Sequence, residues 1–350
     1  MMKRYMTIVS VIALLQWIGF NGYAQNVDFE SVKVKHKVLP LQPLDKALTT
    51  YNSVFKPVDL ELSKAQSESM RLKNLVLDGY TYQEENADVT IELMLDVLSF
   101  KSRDVLDKTT TKGQGENKVT VPQFKYSINY DYPYTVKVTN NSTGAVLLEE
   151  KDYLPVRYEY PETTFADSQE KLSNMYEESK GKIINNIRRI GAEKVMGTVN
   201  ELVNSQFGYT VTTLGFDLGY VKSFKKFDYT DLYGAFEKMR LGINQLEEEW
   251  YSQSLEGNPL KEALEVLNKA RQEYSPGDKK SRINEKVVFM VHHNISICNF
   301  FLKDFKECES SIAAIGDKAT YQMKENRTFL KKYVGETSKR FAANNIAFNQ

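Results

Sequence analysis

The segment that decides the fold is residues 230–250, TDLYGAFEKMRLGINQLEEEW, which opens a stretch running from Tyr229 to Gly316. Its apolar residues recur at steps of four and three, the spacing that places side chains on one face of an α-helix. They are Leu232, Phe236, Met239, Ile243, Leu246 and Trp250. The same spacing returns at Phe305, Cys308, Ile312 and Ile315. The stretch therefore predicts helices that pack side by side. This pattern indicates the fold of the region but no catalytic or binding chemistry.

Further helices follow the first, separated by short polar turns. Pro259 stands in the first turn of the second helix, where proline is tolerated, and Asn258 is its predicted cap. Later helices are predicted over residues 283–302, 305–315 and 318–341. Because the connections are short, neighbouring helices should pack antiparallel.

One segment of this helical region, Asn294 to Ile312, resembles the tetratricopeptide repeat. Asn294-Ile295-Ser296 matches the asparagine, leucine and small residue of the repeat's first helix, Asp304-Phe305 matches its acidic-aromatic turn, and Cys308 takes the small position where two helices approach. The segment departs from the repeat at His292, Asn299 and Ile315, and the closing proline is absent.

This resemblance implies a protein or peptide partner bound on the concave face of stacked helices. His292 and Asn299, which replace a usual large aromatic residue and a usual tyrosine, are the candidate partner-binding residues of this region. The arrangement of the whole chain also resembles large exported proteins of Bacteroidetes-type bacteria.

The preceding part of the chain alternates with period two, the pattern of β-strands with one buried face. Val32, Val34 and His36 alternate with lysines, and the odd positions of residues 89–97 are apolar. Residues 72–82 are predicted to be a strand or a hairpin, and the polar residues 107–118 a mobile loop or a strand connection. The strongest strand pattern covers residues 126–138 and turns at 140–144 into a return strand.

A helical pattern then begins at Asp167 or Ser168 and runs to Leu202, with possible breaks at Gly181 and Gly191. Residues 207–224 return to β-branched, aromatic and glycine residues and are predicted to form a strand pair. The fold class predicted is therefore α+β, an antiparallel sheet domain with covering helices followed by an all-α domain of tetratricopeptide-like hairpins.

Four tyrosines share one face of the strongest strand: Tyr126, Tyr130, Tyr132 and Tyr134. Tyrosine supplies rigid apolar area with a polar tip, which suits a binding surface for a glycan or a partner. A half-buried sheet packed beside a helix uses tyrosine in the same way. The sequence favours packing and keeps these four as candidate binding residues.

The first residues have the features of a secretory signal peptide, with basic Lys3 and Arg4, an apolar run from Tyr5 to Phe20, and small residues before Gln25. The predicted domains are a signal peptide at 1–24, the strand-rich domain at 25–225 and the helical domain at 226–350. The mature chain is predicted to have no transmembrane segment. It should be periplasmic, outer-membrane-associated or secreted.

The amino-acid composition limits the classes of function that this chain can have. Forty-six basic residues balance 46 acidic ones, which does not indicate nucleic-acid binding, and 41% hydrophobic residues suffice for a core. The two cysteines, Cys298 and Cys308, are predicted to be core residues, and whether they are bridged stays open.

No nucleophile, phosphate loop or metal-ligand spacing stands out, since His292 and His293 are adjacent and point about 100° apart on a helix. We therefore expect no cofactor and no enzyme activity. The expected function is an exported module that binds a protein or peptide partner. Glycan or small-molecule binding on the tyrosine face is the alternative, with a hydrolase less favoured.

Overall fold

The computed structural model describes residues 27–112, 118–162, 165–222, 226–278 and 280–349. The predicted signal peptide lies outside these residues. The chain divides into two units. Unit 1 contains residues 27–38 and 211–349, and unit 2 contains residues 39–210. The predicted α+β class is confirmed.

Unit 2 is built on a six-stranded mixed sheet. Its strands are β2 (Thr50–Pro57), β3 (Thr81–Tyr82), β4 (Val89–Leu95), β5 (Ser99–Lys112), β6 (Val119–Asn140) and β7 (Val146–Tyr160). Strand β2 pairs in parallel with β3 and β4. The long strand β6 pairs antiparallel with β4, β5 and β7. Strand β5 pairs with residues 119–131 of β6, and β4 pairs with residues 134–140 of the same strand. Strand β6 therefore joins the other strands into one sheet.

One long helix, α2 (Gln169–Phe207), packs against β4, β6 and β7. Its 39 residues run without a break, and the Ser168 hydroxyl caps it by accepting a hydrogen bond from the Lys171 N–H. The four tyrosines of β6 lie in the core of unit 2, from fully buried Tyr132 to Tyr126 at 8% exposure. Burial of the sheet face under this helix stabilises unit 2 through the hydrophobic effect.

A buried carboxylate anchors the tyrosine face to α2. Asp59 accepts hydrogen bonds from the Tyr132 hydroxyl, the Arg188 Nε and the Leu98 N–H, each at 3.0 Å. The Asp59 side chain is only 8% exposed, and its charge is compensated by Arg188. These bonds raise the cost of separating the helix from the sheet.

Two predictions for unit 2 are wrong. Residues 72–82 are the end of helix α1 (Lys64–Asn74), a turn and the two-residue β3. Residues 107–112, predicted as part of a loop or strand connection, belong instead to β5, which is stable despite its polar, threonine-rich sequence because β6 satisfies its backbone groups. Residues 113–117 of that predicted loop lie outside the described residues.

Unit 1 contains a two-stranded antiparallel sheet whose strands lie on either side of unit 2 in the sequence. Strand β1 (Val27–Lys37) pairs with β8 (Val211–Val221) along its whole length, and Val32, Val34 and His36 are buried as the alternation predicted. Residues 211–221 are therefore one strand with a distant partner and not half of a local strand pair. Both strands group with the helices of unit 1, whereas the sequence placed them in the strand-rich domain.

Five helices complete unit 1: α3 (Thr230–Asn244), α4 (Pro259–Gln272), α5 (Glu285–Phe301), α6 (Phe305–Ala313) and α7 (Tyr321–Ala343). Each packs against the next in the chain. Helix α3 ends at Asn244, so Leu246 and Trp250 are not part of its face. Trp250 lies in the following turns and is fully buried, where its Nε1 donates to Nδ1 of His36 at 3.0 Å.

Helices α5 and α6 are the pair that carries the repeat-like residues. The Cys308 thiol donates to the Ser296 carbonyl at 3.1 Å, so the two small side chains allow a close approach of the helices. Both cysteines are free and buried. Within the described residues, no helix is both long enough and apolar enough to cross a membrane.

Candidate functional site

A groove of about 980 Å³ lies between α6 and α7 in unit 1. Helix α6 contributes Glu309, Ile312 and Ala313. Helix α7 contributes adjacent residues that repeat every four positions, which form one broad face of the helix. They are Arg327, Thr328, Lys331, Lys332, Gly335, Glu336 and Lys339. The sequence folds in this way because Met323, Leu330, Val334 and Phe341 bury the opposite side of α7.

The lining is predominantly cationic, with four basic side chains against two acidic ones. Arg327 is held in place, since its Nη1 donates to the Ile315 carbonyl at 2.7 Å and lies 3.7 Å from Asp317. Lys332 lies 3.9 Å from Glu336. Lys331 and Lys339 form no ion pair within the described part of the chain. Those two ammonium groups are therefore available to an anionic ligand.

The floor of the groove is small and apolar. Ile312 is 4% exposed, and a Cβ added to Gly335 would meet no atom within 4 Å. The groove therefore has open space at its centre and positive charge along α7. From Arg327 to Lys339 the helix rises by about 18 Å, enough for five or six residues of an extended chain.

The predicted partner-binding residues of the helical region do not lie in this groove. His292 is half-buried on α5 near Arg271, and burial together with that charge lowers its pKa to about 4. Its Nδ1 is buried without a hydrogen-bond partner among the described residues. Asn299 is 5% exposed, and its carbonyl accepts from the Asp304 N–H at 2.9 Å.

The four tyrosines of β6 do not form an open surface. Tyr130 packs edge-to-face with Phe100, and Tyr126 packs in the same way with Tyr176 of α2. Burial and the neighbouring Tyr176 raise the pKa of Tyr130 to about 12. All four rings therefore contribute to packing beneath α2, and Tyr130 also lines a pocket of about 590 Å³ together with Arg103 and Arg188.

The described residues contain no group of three side chains suited to hold a metal ion. Adjacent His292 and His293 diverge as expected on a helix, since the His293 Nε2 contacts the Asp217 carbonyl at 2.6 Å.

The pattern of residues 318–341 predicts a helix but does not single out the groove residues. A signal was present in the sequence, since Arg327, Lys331 and Lys339 follow at steps of four and eight on one helix face. The spacing of these basic residues alone could not show that this face of the helix borders a groove.

Comparison with known proteins leaves the family open. No family model matches the chain. No curated protein matches it either. Among solved structures, the chain is similar to a minor lipoprotein from Acinetobacter baumannii at 10% identity and a TM-score of 0.24, over 45% of this chain and 95% of that one.

A second similar structure is a homologue of a neuraminyllactose-binding hemagglutinin from Helicobacter pylori. It shows 8% identity and a TM-score of 0.23, over 46% of this chain and 85% of that one. Neither likeness assigns a function to this chain.

Proposed function

We propose that this chain is an exported, non-enzymatic binding protein whose helical unit takes an acidic peptide segment of a protein partner. The observation that carries the proposal is the groove between α6 and α7, in which Lys331 and Lys339 lie without ion-pair partners among the described residues. The predicted signal peptide supports export to the bacterial envelope or beyond.

Charge and shape together support a peptide as the ligand. Unpaired ammonium groups attract carboxylates, and the attraction strengthens as ionic strength falls. Ile312 and the open space beside Gly335 admit an apolar side chain between the charged positions. The resemblance of α5 and α6 to a tetratricopeptide repeat supports the same kind of ligand.

The test is binding of peptides to the full chain. A displayed library of random hexapeptides should enrich sequences with two or more Asp or Glu residues. Fluorescence anisotropy with the enriched peptide should then show at least a tenfold loss of affinity, about 1.4 kcal/mol, in the double variant Lys331→Glu, Lys339→Glu. Raising the salt concentration should weaken binding to the unmodified protein.

The matched control is the double variant Lys261→Glu, Lys306→Glu, which makes the same change of charge at exposed positions outside the groove. It should bind as the unmodified protein does. Equal losses in both double variants, or a library that enriches no acidic sequence, would reject the proposal.

A further inference from the structure

A second cleft, of about 770 Å³, lies in unit 2 between the edge of β2 and helix α1. Strand β3 covers the outer edge of β2 only at Thr50 and Tyr51. The remaining length of β2 therefore borders the cleft, which Asn52, Ser53 and Phe55 line from the strand and Lys64, Glu68 and Arg71 from α1.

Two side-chain polar atoms in this lining are buried without a hydrogen-bond partner among the described residues: Asn52 Oδ1 and Ser53 Oγ. Ser53 is 2% exposed. Buried polar groups in folded proteins nearly always have partners, because leaving one unpaired sacrifices its hydration without compensation. Neighbouring residues of a strand point to opposite faces of the sheet, so the Asn52 amide and the Ser53 hydroxyl flank the open edge of β2 from its two sides, each with an unused hydrogen-bonding position.

A fixed guanidinium adds further donors. Arg71 uses Nη1 to donate to the Ser53 carbonyl and to the Tyr82 hydroxyl, the latter at 2.9 Å. Its carbon Cζ lies 5.5 Å from the centre of the Tyr82 ring. Arginine has five N–H donors, so these contacts orient the group and leave those on Nε and Nη2 for a ligand.

The formal charges of the cleft cancel, since two basic residues, Lys64 and Arg71, and two acidic residues, Glu68 and Glu84, line it. Phe55, Leu60 and Leu62 supply an apolar wall. A neutral ligand with many hydroxyl groups and an apolar C–H face satisfies all of these features. We propose that this cleft binds a neutral saccharide, with Ser53, Asn52 and Arg71 bonding its hydroxyl groups.

An extended peptide fits the same cleft less well. Strand addition requires free backbone groups along the edge of β2, but Arg71 already occupies the Ser53 carbonyl and Pro57 has no N–H to donate. The edge is interrupted on both sides of Phe55. Only a very short ladder could form there.

The experiment is a glycan array with the full chain, followed by saturation-transfer NMR with the neutral saccharide that binds best. We expect Asn52→Leu and Ser53→Ala each to weaken that saccharide at least tenfold. Ser53→Ala should not lower the melting temperature, because it removes an unpaired hydroxyl. Ser173→Ala, an exposed position on α2 outside the cleft, is the matched control and should bind normally.

The outcomes separate this site from the peptide groove. The double variant Lys331→Glu, Lys339→Glu should keep saccharide binding in full, since its substitutions lie in unit 1. The proposal is overturned if no neutral saccharide binds, or if Asn52→Leu and Ser53→Ala bind the saccharide as tightly as the control does. It is also overturned if those two variants lose binding of a peptide but of no saccharide.

Discussion

A Cβ atom on Gly191 would lie 2.6 Å from Cδ1 of Tyr132, so this glycine of α2 is the place where the helix admits the tyrosine ring of the sheet. The sequence suggested Gly191 as a possible break in the helix. The structure shows an uninterrupted helix, and the absence of a side chain at Gly191 leaves room for the Tyr132 ring.

Gly191→Ala should therefore destabilise the protein by about 1–3 kcal/mol, because the ring must shift within a filled core. Gly181→Ala, in the same helix, is the matched control, since a Cβ there meets no atom within 4 Å. It should stabilise by about 0.5–1 kcal/mol through helix propensity. Urea unfolding measures both, and two changes of the same sign would contradict this assignment.

Acid should destabilise unit 1 through His36. Burial, followed by the positive charge of Arg340, lowers the pKa of His36 to about 4. An unfolded histidine titrates near pH 6.5, so between about pH 6.5 and 4 the unfolded state binds the additional proton. The stabilisation is complete above pH 6.5 and is lost as pH falls.

For His36 alone the loss should be on the order of 2–3 kcal/mol by pH 4. The measurement is the free energy of unfolding at several pH values. The variant His36→Gln, whose side-chain oxygen can still accept from Trp250 Nε1, should show a shallower pH dependence. His292, with its own pKa of about 4, accounts for part of the remaining slope. Identical slopes in variant and parent would show that His36 does not titrate in this way.

The two cysteines should be unreactive in the folded protein. Burial raises the pKa of both the Cys298 and Cys308 thiols, which suppresses the reactive thiolate. An aromatic disulfide reagent at pH 8 should label neither thiol in native protein and both in denaturant without reductant. Absence of labelling in denaturant would instead reveal a disulfide, the alternative that the sequence left open.

Unit 1 should fold without unit 2. Lys37 of β1 is directly paired with Val211 of β8, so unit 2 is inserted where a β-hairpin would have its turn. Replacing residues 38–210 with a two-residue Asn-Gly turn should give a chain that unfolds cooperatively and retains the fluorescence of buried Trp250. A chain without a cooperative transition would show that unit 1 depends on unit 2.

Local patterns predicted the elements whose own residues determine them. The odd positions from Val89 to Leu95 are buried as expected, although β4 ends there and Val97 is 54% exposed. Asn258 caps α4 as predicted, by accepting from the Leu260 N–H at 3.0 Å. Helix α1 was missed because it buries no residue, although Ser63 and Gln66 form a capping box that could have revealed it.

Long-range partners could not be predicted in the same way. Nothing within residues 211–221 indicates that their partner is β1, because a strand's alternation reports a buried face and not the identity of its neighbour. The groove between α6 and α7 likewise depends on how two helices meet, and the cleft beside Ser53 depends on where β3 ends. These features belong to tertiary structure.

The pairing of β1 with β8 also sets an order of events on the ribosome. Strand β1 is among the first described residues to be synthesised, yet its only strand partner within the described chain appears after all of unit 2. Unit 2 can therefore complete its sheet before β1 has a strand to pair with. During that time the backbone groups of β1 are unpaired, and an unpaired strand edge promotes aggregation. The same order holds for a chain exported before folding, because a translocon also delivers β1 before β8.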